Sequence, residues 1–145
     1  MIKRAAIEDA GILADLAVQM WPDHDPDDLE AEFRELAVNN EAACFIKYAE
    51  GKPAAFAQCQ LRHDYVEGTK SSPVGYLEGI FVSEGYRKKG YAAELLSECE
   101  KWAKEKDCSE FASDCELDNI DSLRFHMAVG FAEANRVICF RKELK

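Results

Sequence analysis

The spacing of apolar residues over the first forty positions predicts one short strand and two helices. Apolar side chains in residues 8–21 recur about every 3.6 residues, as on the buried face of a helix, and Pro22 ends that run. A second helix begins with Asp25 as its N-cap and Pro26 as its first residue, and it closes near residue 40. Residues 2–5 precede both helices and predict an opening strand.

The middle of the chain predicts three strands, of which the second alternates apolar and polar residues and the third is apolar. A Glu-Gly-Lys hairpin turn joins the first two, and a loop rich in Gly, Ser and Pro separates the second from the third. Gly75 and Gly79 interrupt the third strand, which indicates a bulge or a close backbone approach. The predicted strands are residues 42–49, 53–65 and 75–82, with the loop at 66–74.

The second half of the chain predicts two further helices and two further strands. Asp118 or Asn119 caps the second of these helices, and Gly130 ends it. The order β-α-α-β-β-β-α-β-α-β indicates an α/β fold over residues 1–145 as a single domain, with a mixed, mostly antiparallel central sheet and one parallel crossover. These elements are a loop at 83–90, a helix at 91–106, a strand at 110–115, a helix ending at Ala128 and a strand at 137–141.

The charge balance narrows the classes of partner. The 145 residues include 18 Lys and Arg against 28 Asp and Glu, which gives a formal net charge of −10. A nucleic-acid binder needs excess positive charge against phosphate, so this class is disfavoured, whereas a cationic ligand would be attracted.

Cysteine usage and hydropathy indicate a reduced, soluble protein of the cytoplasm. The six cysteines form no CxxC pair, and most lie in apolar runs where a free thiol behaves as a small buried side chain. We find neither a secretory signal core nor a run of about 18 apolar residues that could span a membrane. The three histidines show no metal-ligand spacing with the cysteines, so we expect no metal site.

The most informative stretch is a strand that runs into a basic, glycine-bearing turn, which then opens a helix. Such a turn leaves backbone amides unpaired, and the helix dipole adds positive potential beside them. An anion such as a pyrophosphate could bind there. Gly90 has no side chain and Ala92 has only a small one, so both let the anion come close to the backbone. The alternative interpretation is an ordinary solvated turn before a helix.

Three stretches resemble the GCN5-related N-acetyltransferase (GNAT) superfamily. The turn RKKGYA at 87–92 resembles the family's R/Q-x-x-G-x-G/A signature, LEGIFV at 77–82 its central strand, and FHMAVGF at 125–131 a later F-Y-x-x-x-G-F element. The resemblance covers nearly the whole chain and implies the GNAT fold, with helices on both faces of a mixed sheet and splayed central strands.

A narrower resemblance is to the aminoglycoside 6′-N-acetyltransferases. It rests on YVEGT at 65–69, SPVGYLEGI at 72–80, Trp21 with Pro22, FASD at 111–114 and LDN at 117–119. It implies acetyl transfer from acetyl-CoA to the 6′-amine of an aminoglycoside by direct attack in a ternary complex, antibiotic resistance as the result, and a homodimer.

The resemblance implies a set of acetyl-CoA-binding residues. The amides of the basic turn and Arg87 would hold the pyrophosphate, and the central strand would pair with the pantetheine and polarise the thioester. Asn119 would bond the pantetheine, Phe125 would pack beside it, and His126 stands where many relatives have a Tyr that protonates the thiolate. His126 is therefore either a general acid or only a cofactor contact. The full set is Ile80, Phe81, Val82, Arg87, Lys88, Lys89, Gly90, Tyr91, Ala92, Asn119, Phe125 and His126.

The resemblance also implies acceptor-site residues, and a polycationic acceptor calls for carboxylates and aromatic faces. We single out Asp114 and Glu78 as catalytic residues. Either could accept a proton from the amine, but their main expected role is to position the amine. An inward Glu78 would be an isolated buried charge unless it met the substrate cation or paired with Arg62 or Arg87. Relatives tend to carry a Glu where this chain has Asn135, so this chain departs from the family at one expected substrate contact. The predicted substrate-binding residues are Trp21, His24, Tyr65, Glu78, Asp114, Asp118 and Asn135.

Other functions remain open at this point. The acceptor could be another amine, such as a polyamine or a peptide, and an acidic site would serve a polyamine equally well. A non-catalytic regulator that binds acyl-CoA is the alternative from another class. A covalent acetyl-cysteine at Cys115 is the rival mechanism, but this cysteine has no cationic neighbour in sequence to stabilise a thiolate.

Overall fold

The fold is built on one five-stranded sheet in which strand order follows chain order. The structure is a computed structural model and describes residues 1–145. Neighbouring strands from β1 to β4 are antiparallel, whereas β4 and β5 are parallel, as the predicted crossover requires. The strands are β1 (Ile2–Arg4), β2 (Ala42–Ala49), β3 (Lys52–Arg62), β4 (Val74–Val82) and β5 (Phe111–Ala112).

Helices cover both faces of this sheet, as expected. Successive residues of a strand point to opposite faces, so Phe56 packs with α1 and α2 whereas Ala57 packs with α3. Asp25 caps α2 by accepting a hydrogen bond from the amide of Asp27 at 2.8 Å, and Pro26 is its first residue. The helices are α1 (Ala10–Met20), α2 (Pro26–Val38), α3 (Tyr91–Glu105) and α4 (Ile120–Ala128).

Both predicted irregularities of β4 are present. A Cβ atom at Gly75 would lie 2.6 Å from the Phe111 ring and 2.7 Å from the Ala103 Cβ, so only glycine fits between β5 and α3. Further along, Gln58 pairs with Gly79 and Cys59 with Leu77, which leaves Glu78 as an extra residue in a β-bulge. The bulge therefore lies at the acidic residue singled out from the sequence.

The strand predicted at 137–141 is wrong. Residues 129–145 contain no regular element, and Ile138 and Phe140 are 80% and 90% exposed. A strand needs a neighbouring strand to satisfy its backbone groups, and nothing in the chain pairs with this segment. The strand predicted at 110–115 is likewise reduced to Phe111–Ala112.

Smaller differences occur at element ends. The first helix begins at Ala10, after a separate 3₁₀ turn at Ile7–Asp9, because the Asp9 carboxylate accepts a bond from the Ala6 amide at 2.8 Å. The second hairpin strand ends at Arg62 rather than at residue 65. All six cysteines are free, and no helix has the length and apolar character that crossing a membrane would take.

Candidate active site

The turn between β4 and α3 presents a row of unpaired backbone amides. No amide from Arg87 to Ala93 donates a hydrogen bond within the chain. Lys88 and Gly90 adopt left-handed conformations, with φ of 64° and 82°, and Gly90 is the N-cap of α3. Left-handed residues of this kind turn successive amides towards one side, and the positive end of the helix dipole lies beside them. The turn is thus suited to bind an anion.

Arg87 lies against the end of β4. Its Nε donates to the Val82 carbonyl at 2.9 Å, and its guanidinium carbon is 5.8 Å from the centre of the Phe81 ring. This arrangement adds positive charge where the strand meets the turn. Lys47 lies 4.8 Å over the Tyr91 ring, so the side chain of Tyr91 faces β2 while its amide stays unpaired.

Beyond its first residues, β4 has one open edge. It pairs with β5 only at Gly75 and Tyr76, whereas its other edge pairs with β3 as far as Val82. The stretch Ile80–Val82 therefore has backbone groups free on the β5 side, where a ligand could add as an extended strand. This opening confirms the expected splay of the central strands.

The first turn of α4 is capped by Asn119. The Asn119 side chain accepts a bond from the Ser122 amide at 3.1 Å, which confirms it as the N-cap and leaves its NH₂ group free. Phe125 packs against the α3 side of the core and contacts the His126 ring edge-to-face at 5.5 Å.

Both ring nitrogens of His126 have partners. Nδ1 lies 2.7 Å from the Ser122 carbonyl oxygen, and Nε2 lies 2.8 Å from Ser113 Oγ. A carbonyl can only accept, so in the neutral ring Nδ1 carries the proton and Nε2 accepts from the Ser113 hydroxyl. The imidazole is therefore fixed between α4 and the segment that follows β5.

Glu78 is half-buried and paired with Arg62, one of the two partners considered for it from the sequence. The Arg62 Nε and Nη2 atoms donate to separate Glu78 oxygens at 2.9 and 2.7 Å. This bidentate bond, and secondarily the negative charge of Glu78, raises the pKa of the Arg62 guanidinium. Arg87 makes no such contact.

Asp114 lies three residues after Phe111, just beyond the point where β5 leaves β4. Its carboxylate accepts a hydrogen bond from the Tyr76 hydroxyl, while the residue itself is exposed. Burial, and then the bond to Asp114, raises the pKa of Tyr76, so the phenol stays protonated at neutral pH. The structure thus brings Glu78 and Asp114 to neighbouring positions around Tyr76.

The predicted aromatic residues occupy two different surfaces. The Trp21 ring lies over Gly79, 3.8 Å from a Cβ built there, and stacks on His24 with ring centres 5.7 Å apart. Tyr65 lies instead in the loop before β4, is 76% exposed, and accepts from the Gly68 amide at 3.4 Å.

A cleft of about 880 Å³ runs along β5 and the segment that follows it. Tyr65, Asp114, His126 and Asn135 line it, and Asn135 donates to Glu67 at 3.3 Å across its mouth. Asp118 is exposed, and its side chain has no partner. No group of three or more His, Cys, Asp or Glu is arranged to hold a metal ion.

Comparison with known proteins assigns this arrangement to a family. The model of the acetyltransferase (GNAT) family matches residues 11–131. The chain belongs to the GNAT family of acetyltransferases. Among its relatives, "Aminoglycoside N(6')-acetyltransferase type 1" of Serratia marcescens is 46% identical over 130 residues, covering 89% of each chain. The protein of the same name from Salmonella typhimurium is 42% identical over 127 residues, covering 88% of each.

Solved structures agree with this assignment. AAC(6')-Iy in complex with the bisubstrate analogue CoA-S-monomethyl-acetylneamine superposes with a TM-score of 0.95 at 38% identity, covering 99% of this chain and 98% of the other. AAC(6')-Ih of Acinetobacter baumannii gives a TM-score of 0.92 at 37% identity, covering 100% and 99%. The GNAT fold expected from the sequence is confirmed.

The sequence does not identify two functional side chains of this GNAT site, those of Arg62 and Tyr76. The sequence predicts Arg62 only as a possible partner of Glu78, and it assigns no role to Tyr76. Tyr76 could have been found, because a residue two positions before Glu78 on a strand shares its face. Its bond to Asp114 spans 38 residues of sequence, and no local pattern signals it.

Proposed function

We propose that the chain transfers the acetyl group of acetyl-CoA to the 6′-amino group of aminoglycosides and so confers resistance. One observation carries the proposal: the open edge of β4 lies between the unpaired amides of the β4–α3 turn and the Asp114 carboxylate. The relatives' names support the substrate class, and the structures bound to CoA and to an acetylneamine analogue support both substrates.

The coenzyme would enter along the turn and β4. Its pyrophosphate would accept bonds from the amides of residues 88–92, with Arg87 adding positive charge. Its pantetheine arm would pair with the open edge of Ile80–Val82, between that edge and the free amide group of Asn119. Phe125 would pack beside it. This path leads the thioester to the point where β4 and β5 diverge, close to Asp114.

The reaction would be a direct acyl transfer. A backbone amide near Phe81 or Val82 donates to the thioester oxygen, on which negative charge develops in the transition state. The acceptor binds as an ammonium group and first gives one proton to Asp114, directly or through water. The neutral amine then attacks the carbonyl carbon, the C–N bond forms, the C–S bond breaks, and coenzyme A leaves as its thiolate. The second amine proton passes to water as the amide forms. Holding the amine beside the thioester supplies much of the rate.

His126 fits a role as a cofactor-side scaffold better than that of a general acid. Its Nδ1 proton bonds the Ser122 carbonyl and its Nε2 accepts from Ser113, so in this arrangement no proton is available to a thiolate. A thiolate is a good leaving group at neutral pH and does not need one. We therefore assign His126 to holding α4 against the segment after β5.

The acceptor would lie on the acidic side of the opening. Asp114 offers an exposed carboxylate to one ammonium group, while Trp21 and His24 offer a stacked aromatic surface over Gly79. Tyr65 and Asn135, on the cleft beside β5, would contact rings farther from the reacting amine. Asp118 would contribute only long-range attraction, because it does not line the cleft.

The exposed C-terminal segment supports the homodimer implied by the resemblance. Between residues 137 and 144, Val137, Ile138, Phe140 and Leu144 are at least 62% exposed. Apolar side chains clustered in one segment are costly in water and mark an interaction surface. Light scattering would give twice the monomer mass, and Phe140→Asp would lower it; a monomeric wild type would contradict the dimer.

Cytoplasmic location is part of the proposal. All six cysteines are free, as is usual in a reducing compartment, and acetyl-CoA is an intracellular metabolite. Acetylation turns a cationic amine into a neutral amide, so it removes one charge from the antibiotic. That loss supports resistance as the biological outcome.

The test is thiol release from acetyl-CoA with three acceptors. Two are aminoglycosides that differ only in a 6′-amino or 6′-hydroxyl group, and the third is spermidine. We expect turnover with the 6′-amino compound alone, with the acetyl group located at N6′ by NMR. Turnover with spermidine alone would favour the polyamine alternative. Coenzyme binding without turnover on any of the three would indicate a regulator.

A further inference from the structure

Two side chains connect the acids of the site into one network. Arg62, at the end of β3, bonds both oxygens of Glu78 in the β4 bulge. The Arg62 guanidinium carbon also lies 3.4 Å from the centre of the Tyr76 ring, and the Tyr76 hydroxyl bonds Asp114. The two acids are thus joined through Arg62 and Tyr76.

Within this network the two carboxylates are not equivalent. Glu78 has both oxygens occupied and its side chain is 17% exposed, so Arg62 compensates its charge. Asp114 is exposed and bonded by a neutral phenol at one oxygen, Oδ2. The second oxygen of Asp114 is therefore free to accept a hydrogen bond from an incoming ammonium group, and the charge of Asp114 has no cationic partner.

Tyr76 is well placed to fix that second oxygen. It is only 5% exposed, packs with Val66 and Val74, and carries Arg62 stacked on its ring. Asp114 itself follows a strand of two residues and has little regular structure to hold it. The raised pKa of Tyr76 keeps its hydroxyl a donor throughout the neutral range.

We propose that Tyr76 is a positioning residue, which orients the Asp114 carboxylate towards the acceptor amine, and that the Arg62–Glu78 pair holds the Tyr76 ring in place. The proposal rests on the proposed function in that Asp114 receives the amine. Tyr76 lines the same cleft as Asp114, and in this proposal it acts through its bond to Asp114 rather than on the reacting atoms. Its loss should therefore affect the chemical step more than the binding of either substrate, because the Asp114 charge remains.

The first test is Tyr76→Phe, which keeps the ring and removes the hydroxyl. Because the lost hydrogen bond is to a charged group, we expect kcat to fall by about 10- to 100-fold while the KM for acetyl-CoA stays unchanged. Tyr48→Phe is the matched control, because Tyr48 lies in the same sheet and its hydroxyl makes no hydrogen bond. A kcat for Tyr76→Phe equal to that of the control would overturn the proposal.

A double-mutant cycle tests whether Tyr76 acts through Asp114. In the Asp114→Asn background, Tyr76→Phe should change kcat by less than about threefold, because the residue it positions is already lost. Losses that multiply would show that Tyr76 acts elsewhere, and would overturn the proposal.

Asp114→Glu gives an answer even if the buried Tyr76 tolerates no change. It keeps the charge but moves the carboxylate one methylene away from the Tyr76 hydroxyl. We expect at least a tenfold loss of kcat with the thermal midpoint preserved, and wild-type kcat would contradict positioning. If the wild type turned over only another amine, the proposed acceptor would be wrong; the same variants assayed on that amine would still decide the role of Tyr76.

Discussion

The contact of Gly75 with β5 and α3 allows a sharp test of how the site is held together. In Gly75→Ala the new Cβ would lie 2.6 Å from Phe111 Cδ1 and 2.7 Å from Ala103 Cβ. Carbon atoms in contact prefer a separation of about 3.5–4 Å, so the neighbours must move by roughly 1 Å. Ala103 belongs to the buried face of α3 and cannot yield by rotating a side chain. The backbone of α3 must therefore shift away from β4, and Phe111 with β5 must shift as well.

The expected cost follows from overpacking. An extra methyl group in a well-packed core lowers the free energy of unfolding by about 1–3 kcal/mol. Gly79→Ala is the matched control on the same strand, because its nearest atoms, in Trp21 and Met20, are at ordinary contact distances of 3.8 and 3.9 Å. That variant should lie within about 1 kcal/mol of the wild type.

Urea unfolding followed by tryptophan fluorescence measures both variants. Gly75→Ala should shift the midpoint down with an unchanged m-value, while Gly79→Ala should leave it nearly in place. Since Asp114 lies three residues after Phe111, kcat should also fall in Gly75→Ala. Equal stability of the two variants would refute the argument that β5 is positioned by the absence of a side chain at Gly75.

Three further predictions concern the turn, the N-terminus and the thiols. Gly90→Ala places an alanine at φ 82° and should weaken CoA binding, measured by calorimetry, by about 5- to 30-fold. The control Gly51→Ala, at φ 77° in the β2–β3 turn, should leave CoA affinity unchanged. Equal CoA affinities of the two variants would contradict CoA binding at the β4–α3 turn. Burial opposes ionisation of Asp9, but hydrogen bonds from a lysine and a backbone amide outweigh it and lower the pKa of Asp9 below its ordinary value of 3.8. The stability that the Asp9 carboxylate adds is therefore present above pH 3.8 and is lost as the pH falls through the lowered pKa. The stability gap to Asp9→Asn should shrink over that acidic range in urea titrations, and a constant gap would contradict the assignment. Burial raises the pKa of Cys44 to about 12, so mass spectrometry after brief thiol labelling should find exposed Cys115 modified and Cys44 not; rapid modification of Cys44 would refute its burial.

Local signals account for what could be predicted from the sequence. The Asp25 cap, the turn before Tyr91 and the Asn119 cap each depend on residues within a few positions of one another, and all three are present. The family signature in the basic turn then indicated where a coenzyme would bind. Because their signals are local, these features could be predicted without knowledge of the rest of the fold.

The remaining features depend on distant partners. Strict alternation would place Gly79 on the face opposite Glu78, but the bulge puts an extra residue in β4 and changes the alternation beyond it. The bond between Tyr76 and Asp114 requires β4 and β5 to be neighbours first. The strand expected at 137–141 is apolar enough to form, yet it lacks a pairing partner within the chain.

A two-ligand titration followed in backbone amide NMR spectra tests the central claim most directly. Coenzyme A should shift the amide resonances of residues 87–93 most strongly, because those amides are free to bind its pyrophosphate. A 6′-amino aminoglycoside added to the coenzyme complex should then shift Asp114 and its neighbours while leaving the turn unchanged. Coenzyme binding that leaves residues 87–93 unshifted, or an aminoglycoside that displaces the coenzyme from them, would contradict the account.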